Sequence, residues 1–321
     1  MDRVLRTAGL LLVGFLGALQ GCITVNLLEP AGPVQEVTLT GTGAEKVLLL
    51  DLSGVISAQD KDGLFPQPNM LAAFKEDLVK AAKDDNVKAI ILRINSPGGT
   101  VTASDILYHE LKAFKATKKV PMITSMMDLA ASGGYYAAMA SDTIYVHPST
   151  VTGSIGVIML TMNAKGLLEK VGMEASAITS GPRKDMGSPF RTMTQEERTI
   201  FQGVIDSFYH RFLTVVQEGR PQLNADQIKK LADGRIYSGE QAKAAGLVDE
   251  IGYLDDAIEQ ARKRAGLTEA RVVTYRRHGE YQNNIYSKMF GGGSGLTSLA
   301  TMDLMSLVRG GSPQFMYMWM P

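Results

Sequence analysis

One cysteine, one tryptophan and four histidines are spread over 321 residues. A lone thiol excludes an intramolecular disulfide framework, and no cluster of metal-ligating residues or cofactor motif stands out, so neither a metal nor a cofactor is expected. Charge of one sign is also missing. Lys plus Arg and Asp plus Glu both number 33, which argues against nucleic acid as a partner. No tandem repeat implies a solenoid. A long hydrophobic run is absent too: the apolar stretch from Thr7 to Leu19 falls short of the roughly 20 residues that a comfortable spanning helix needs.

What that opening stretch does have is order. Arg3 and Arg6 precede the apolar run, the charged-then-apolar plan of a secretory signal. It closes in Leu19-Gln20-Gly21-Cys22, which resembles a bacterial lipobox, with the only thiol of the chain where lipidation requires one. The expectation is a signal peptide over residues 1–21, a lipidated Cys22 at the mature N-terminus and a tether over 22–44. The alternative is an uncleaved anchor with an incidental cysteine. Either way the N-terminus goes to a membrane and the body lies in the cell envelope, outside the cytoplasm. Ile23 supplies no acidic inner-membrane retention signal after the cysteine.

Beyond the tether, buried-strand and helical patterns alternate. "KVLLLDL" and "VKAIILRI" read as strands around a helix at "NMLAAFKEDLVKAAKDD". A helix over about 103–116, a strand over 120–125, a helix starting near Ser132 and a strand at "TIYVHP" follow. A short helix at "AKGLLEKVG" and a strand at "EASAITS" come next. This order predicts an α/β architecture with mostly parallel strands. Past Thr194, which forms a capping box with Glu197, the chain turns helical, and Ile200, Phe201, Val204, Ile205, Phe208, Phe212 and Leu213 predict one broad buried stripe. A final strand is expected at "ARVVTYRR".

Chemistry concentrates in a few glycine-rich turns. Ser132, in "AASGGYY", sits where a strand hands over to a helix, and Gly133 and Gly134 keep side chains away from it. It reads as a nucleophile or, more plainly, as a helix N-cap. A nucleophile needs a base. His109, His147, His210 and His278 are available, though no local context marks any of them. Lys184, in "TSGPRKDMGSPF", is the other candidate, and a lysine acts as a base only when burial keeps it neutral; otherwise it is a surface lysine. Ser154, in "TGSIGV", is a plausible hydroxyl to orient it. Gly98 and Gly99, in "INSPGGTVTASD", can turn backbone N–H groups toward a developing oxyanion, or can simply form a strand-to-helix turn.

Taken together, "INSPGGTVTASD", "DLAASGGYYAAMASD", "STVTGSIGV", "ITSGPRKDMGSPFR" and "GRIYSGEQAKAAGLVDEIGYLDDAI" resemble the signal peptide peptidase A (SppA) family in order and spacing. The resemblance covers roughly residues 46–265. It implies a ClpP/crotonase-like stack of ββα units with a helical C-terminal part, and a peptidase domain over 45–268 followed by a strand and a Gly/Met-rich tail over 269–321. It also implies a serine endopeptidase with Ser132 as nucleophile, Lys184 as general base and Ser154 orienting the lysine. By the same resemblance, Gly98, Gly99 and the Gly133 amide would form the oxyanion hole. The substrates implied are remnant signal peptides and other apolar peptides, cleaved by a ring- or dome-like homo-oligomer. Met126, Met127, Met139, Met159 and Met162 suit either apolar binding grooves or core gap-filling. A general envelope protease, a catalytically silent scaffold and acyl-thioester chemistry on the same fold are the competing readings. The apolar end "FMYMWMP" could pack on a neighbouring subunit, touch a bilayer or occupy an active-site groove.

Overall fold

The computed structural model describes residues 34–59, 69–277, 284–286 and 314–320; Cys22 and His278 lie outside the described residues. A nine-stranded sheet forms the body, with β1 (Gln35–Thr40), β11 (Arg271–Arg276), β2 (Lys46–Ser53), β3 (Val87–Ser96), β5 (Met122–Ala131), β6 (Thr143–Val146) and β10 (Glu250–Ile251) in that order. All of these pairs are parallel except β1 with β11. Off this path, β7 (Val151–Gly153) pairs with β5, and β9 (Ile236–Ser238) with β7. β4 (Gly98–Thr100), β12 (Gln314–Met318) and β8 (Ile158–Leu160) form a second, three-stranded sheet.

The central strands are apolar on both sides because both faces of the sheet are covered. Side chains alternate between faces along a strand. Leu48, Leu50 and Leu52 of β2, with Ile90, Leu92 and Ile94 of β3, join a large core containing side chains of α1 (Met70–Lys83), α2 (Val101–Lys118), α3 (Gly133–Ala138) and α5 (Gln195–Gly219). Val47, Leu49, Ala89 and Ile91 point the other way, onto Leu254, Ala257, Ile258 and Ala261 of α8 (Leu254–Arg264). The expected α/β architecture is therefore present. α4 (Lys165–Lys170) belongs to a separate excursion, while α6 (Ala225–Leu231) and α7 (Gly239–Ala244) flank β9 and lead toward β10.

Two expectations fail. The strand expected at 174–180 does not form: the segment is exposed throughout and pairs with no strand among the described residues. The broad stripe of α5 is fully buried only toward the end of the helix, at Phe212, Val215 and Val216. Ile200 is exposed and Phe201, Val204, Ile205 and Phe208 are half-buried, because the first turns of α5 reach beyond the main core. The capping box of Thr194 and Glu197 is present.

Candidate active site

β5 serves two neighbours in succession. Residues Ile123–Met126 pair with β6, and Leu129–Ala131 pair with β7. Opposite, the register on β3 jumps between Ile94 and Ser96, and the Asn95 side chain accepts the Leu129 N–H at 3.1 Å where the ladder is interrupted. The strand thus delivers Ser132 at its fork.

Ser132 has φ 52° and ψ −112°. A residue with a side chain is strained there, at a cost of about 1–3 kcal/mol. The surroundings hold it in place: its N–H donates to the Gly153 carbonyl at 2.8 Å and its carbonyl accepts the Tyr136 N–H at 2.8 Å. The side chain makes no capping hydrogen bond, so the plain N-cap alternative does not describe it. Its Oγ is buried without a hydrogen-bond partner among the described residues. Folding has placed a hydroxyl where it gains nothing locally.

Ser154 is the second serine at positive φ, 49°. Parallel pairing sets Ala131 opposite Gly153, so Ser132 and Ser154 follow each other's partners at the ends of adjacent strands. The Ser154 N–H donates to the Arg235 carbonyl at 2.8 Å. A cleft of about 390 Å³ reaches Ser154, lined also by Ile155, Val157, Tyr209 and Met318.

The glycines of β4 complete the cluster. Gly98 O accepts the Ile56 N–H at 2.9 Å and the Thr100 N–H donates to Ile56 O at 3.0 Å. The peptide groups of Gly99, between them, consequently face the opposite edge. Gly98 spends its own N–H on Ser96 Oγ, 3.1 Å away, so its contribution is the missing side chain. At φ 102°, a Cβ on Gly98 would come within 2.7 Å of the Gly133 nitrogen. Gly133 begins α3, and the first amide of a helix has no intrahelical acceptor. Gly99 and Gly133 therefore supply the two N–H groups at this point.

Lys184 stands apart. It is exposed, and its side chain has no hydrogen bond or ion pair among the described residues. It rides on the excursion of residues 160–193, which displays Leu160, Met162, Leu167, Val171, Met173, Ile178 and Phe190 to solvent. The foot of this arm is firm. Arg191 bridges Asp185 and Glu197, with Nε 2.6 Å from Asp185 Oδ2 and Nη1 3.0 Å from Glu197 Oε2. Hydrogen bonding from Arg191, then from the Thr194 N–H, pulls the Glu197 carboxyl down to about 2.

Histidine does not take the place of the lysine among the described residues. His109 and His210 are exposed, and His210 Nδ1 lies 2.6 Å from Asp206 O. His147 Nδ1 bonds Ser149 Oγ at 2.8 Å, with its ring edge-on to Tyr253. Of the five methionines set near the motifs, Met126, Met127 and Met139 are core residues, Met159 is half-buried and Met162 is exposed.

Sequence reasoning missed an aromatic chamber beside the glycines. Tyr136 packs against Tyr108 and Phe212, with ring centroids 5.4 and 5.0 Å away, and its hydroxyl donates to Asp105. Burial, followed by the hydrogen bond to Asp105, raises the Tyr136 phenol far above its ordinary value. The double tyrosine after the Ser-Gly-Gly run was the available signal. Ser104 was also missed: its Oγ donates to Thr100 O at 2.9 Å and would be 2.4 Å from a Cβ on Gly133.

Two family models match the chain, that of peptidase family S49 over residues 113–268 and that of the Clp protease over residues 67–152. An Enterococcus faecium protein named as a candidate signal peptide peptidase SppA is 39% identical over 243 residues, 75% of this chain and 70% of that protein. Protease 4 of Salmonella typhi is 38% identical over 195 residues, 61% of this chain and 31% of the relative. The chloroplastic serine protease SPPA of Arabidopsis thaliana is 33% identical over 238 residues, 74% of this chain and 35% of the relative.

Proposed function

We propose that this chain, which belongs to peptidase family S49 and is a serine peptidase, is a membrane-tethered endopeptidase that attacks with Ser132 and uses Lys184 of a neighbouring copy as its base. The observation that carries the reading is the Ser132 hydroxyl, buried, unpartnered among the described residues and held on strained backbone beside the amides of Gly99 and Gly133. A neutral lysine takes the Ser132 proton as Oγ bonds the peptide carbonyl carbon. The two amides stabilise the oxyanion. The lysine returns the proton to the departing amine, and water releases the acyl group.

Within a single chain Lys184 does not meet Ser132: the Lys184 residue is exposed, while the Ser132 hydroxyl is buried without a partner among the described residues. Its arm has a rigid foot and an apolar surface, the features expected of a segment that buries itself against another copy. The cleft beside Ser154 offers room for the incoming side chain, with the Ser154 hydroxyl as its partner. A homo-oligomeric ring or dome satisfies this arrangement.

The E. faecium relative's name supports peptides derived from signal sequences as substrates, as do the apolar and aromatic walls beside the glycines. Lipidation of Cys22 would hold the enzyme at an envelope membrane, where such peptides collect. Among the described residues no helix is long and apolar enough to cross a membrane.

Subunit complementation tests the reading. Ser132→Ala and Lys184→Ala proteins are each expected to be inactive on an apolar peptide. Refolded together, they should regain about a quarter of wild-type activity if neighbouring copies mix at random. A mixture as dead as its parts would remove the shared site, and an active Ser132→Ala protein would remove the nucleophile.

A further inference from the structure

The run Asn95-Ser96-Pro97-Gly98-Gly99 contains a serine to which the mechanism gives no part. Ser96 closes β3 and is wholly buried. Its hydroxyl is used in both directions: Oγ donates to Gly54 O at 2.6 Å and accepts the Gly98 N–H at 3.1 Å. Gly54 and Gly98 stand on backbone at φ 85° and 102°, so one oxygen ties together two turns that only glycine adopts freely.

This tie governs where the Gly99 N–H points. Gly98 is grasped at both ends, its N–H by Ser96 Oγ and its C=O by the Ile56 N–H at 2.9 Å. With no side chain to restrict its dihedral angles, these two bonds select them. In a planar trans peptide the N–H points away from the C=O of the same unit. Gly98 O held on Ile56 therefore sends the Gly99 N–H to the edge away from Ile56.

Ser96 bears on the second donor as well. It pairs with Ala130 of β5, two residues before Ser132. A Cβ on Gly134 would lie 3.0 Å from Ser96 O and 3.4 Å from Ser96 Cβ, so α3 rests directly on this residue. Gly133 is wedged beside it, since a Cβ there would lie 2.4 Å from Ser104 Oγ and 3.2 Å from Gly98 Cα. One buried serine thus touches both the turn that carries the Gly99 N–H and the helix that opens with the Gly133 N–H.

We propose that Ser96 is a positioning residue for the oxyanion hole, its hydroxyl orienting the Gly98–Gly99 peptide and its backbone seating α3 so that the Gly99 and Gly133 N–H groups converge on one point. The proposal rests on the Ser132 peptidase reading and adds what keeps the two donors aligned while charge develops on the carbonyl oxygen. Ser96 itself touches no reacting atom.

The test compares wild type with Ser96→Ala in the full, assembled protein. Substrate is an apolar fluorogenic peptide, and the ligands are its acyl half ending in an aldehyde or in an alcohol. Ser132 Oγ bonds the aldehyde carbon as Lys184 takes the hydroxyl proton, which leaves the former carbonyl oxygen as an oxyanion in the hole. The alcohol binds without forming that adduct. Ser96→Ala should lower kcat roughly tenfold to a hundredfold, short of the loss of a whole donor, with KM within about twofold of wild type. Aldehyde affinity should fall by the same factor as kcat/KM, and alcohol affinity should hold. Should Ser96→Ala fail to fold, Ser96→Cys keeps the volume and replaces both hydrogen bonds by weak ones, and the same pattern is expected. An unchanged kcat, or equal losses of aldehyde and alcohol affinity, would overturn the proposal and leave the peptidase reading standing. Cleavage that survives in Ser132→Ala would overturn both.

Discussion

Replacing Ser132 by alanine should destroy activity and strengthen the fold. The structure sets the size of the second effect. The Ser132 hydroxyl is buried with no partner among the described residues, and leaving such a group unsatisfied costs about 1–3 kcal/mol. Alanine removes that cost and keeps the backbone strain. Ser132→Ala is therefore expected to gain about 1–2 kcal/mol, which in a domain of this size raises Tm by roughly 2–6 °C. Glycine relieves the strain at φ 52° as well, worth about 1–3 kcal/mol, against about 0.4–1 kcal/mol lost to the freer unfolded chain. The expected order of stability is glycine, then alanine, then serine. Urea denaturation monitored by tryptophan fluorescence and by far-ultraviolet circular dichroism measures it. Activity should fall by roughly 10⁴-fold or more in both variants, as when other nucleophilic serines are removed. An alanine variant less stable than wild type would refute the reasoning, because the hydroxyl would then have a stabilising partner.

Other predictions concern the glycines and the arm. Gly98→Ala should abolish turnover even when Gln314–Met318 is deleted, because its Cβ would still meet the Gly133 nitrogen at 2.7 Å on backbone at φ 102°; peptide kinetics on the double variant check this. Arg191→Ala should loosen the foot of the arm, detected as faster tryptic cleavage between residues 160 and 193 and as a drop in kcat that a Lys substitution only partly restores. The Glu197 carboxyl is lowered from its usual 4.5 to about 2, so its stabilising contribution is complete above pH 4.5 and is lost as pH falls toward 2. The arm's resistance to pepsin should decline across that window, and Glu197→Gln should flatten the decline.

Much of the body was legible in the sequence because its signals are local. The apolar runs of β2 and β3 and the Thr194 capping box each act within a few residues. "EASAITS" carries a strand-like composition, but strand formation requires a partner strand, and the segment pairs with none among the described residues. The stripe on α5 was read correctly as apolar and wrongly as uniformly buried, since periodicity reports which face is greasy and not what covers it. In the candidate site, Ser132, Ser154 and the glycines announced themselves through small-residue turns. Their adjacency depends on the Ala131–Gly153 register, which no local pattern encodes. The seat of Tyr317 was illegible for the same reason, as its partners at Gly99 and Tyr136 are contributed by distant segments.

The small sheet has a consequence for what this peptidase accepts. With β12 gone, β4 and β8 become two facing edges with a gap one strand wide. Filling that gap requires a chain whose backbone donors and acceptors are free on both flanks at once. A helix has none to spare, and a strand inside a folded sheet has already committed at least one flank. A chain that is already folded would thereby be refused whatever its sequence, while loose peptides and unravelled ends would be admitted. A groove of this kind would inspect the folding state of its guest before any side-chain pocket reads its identity.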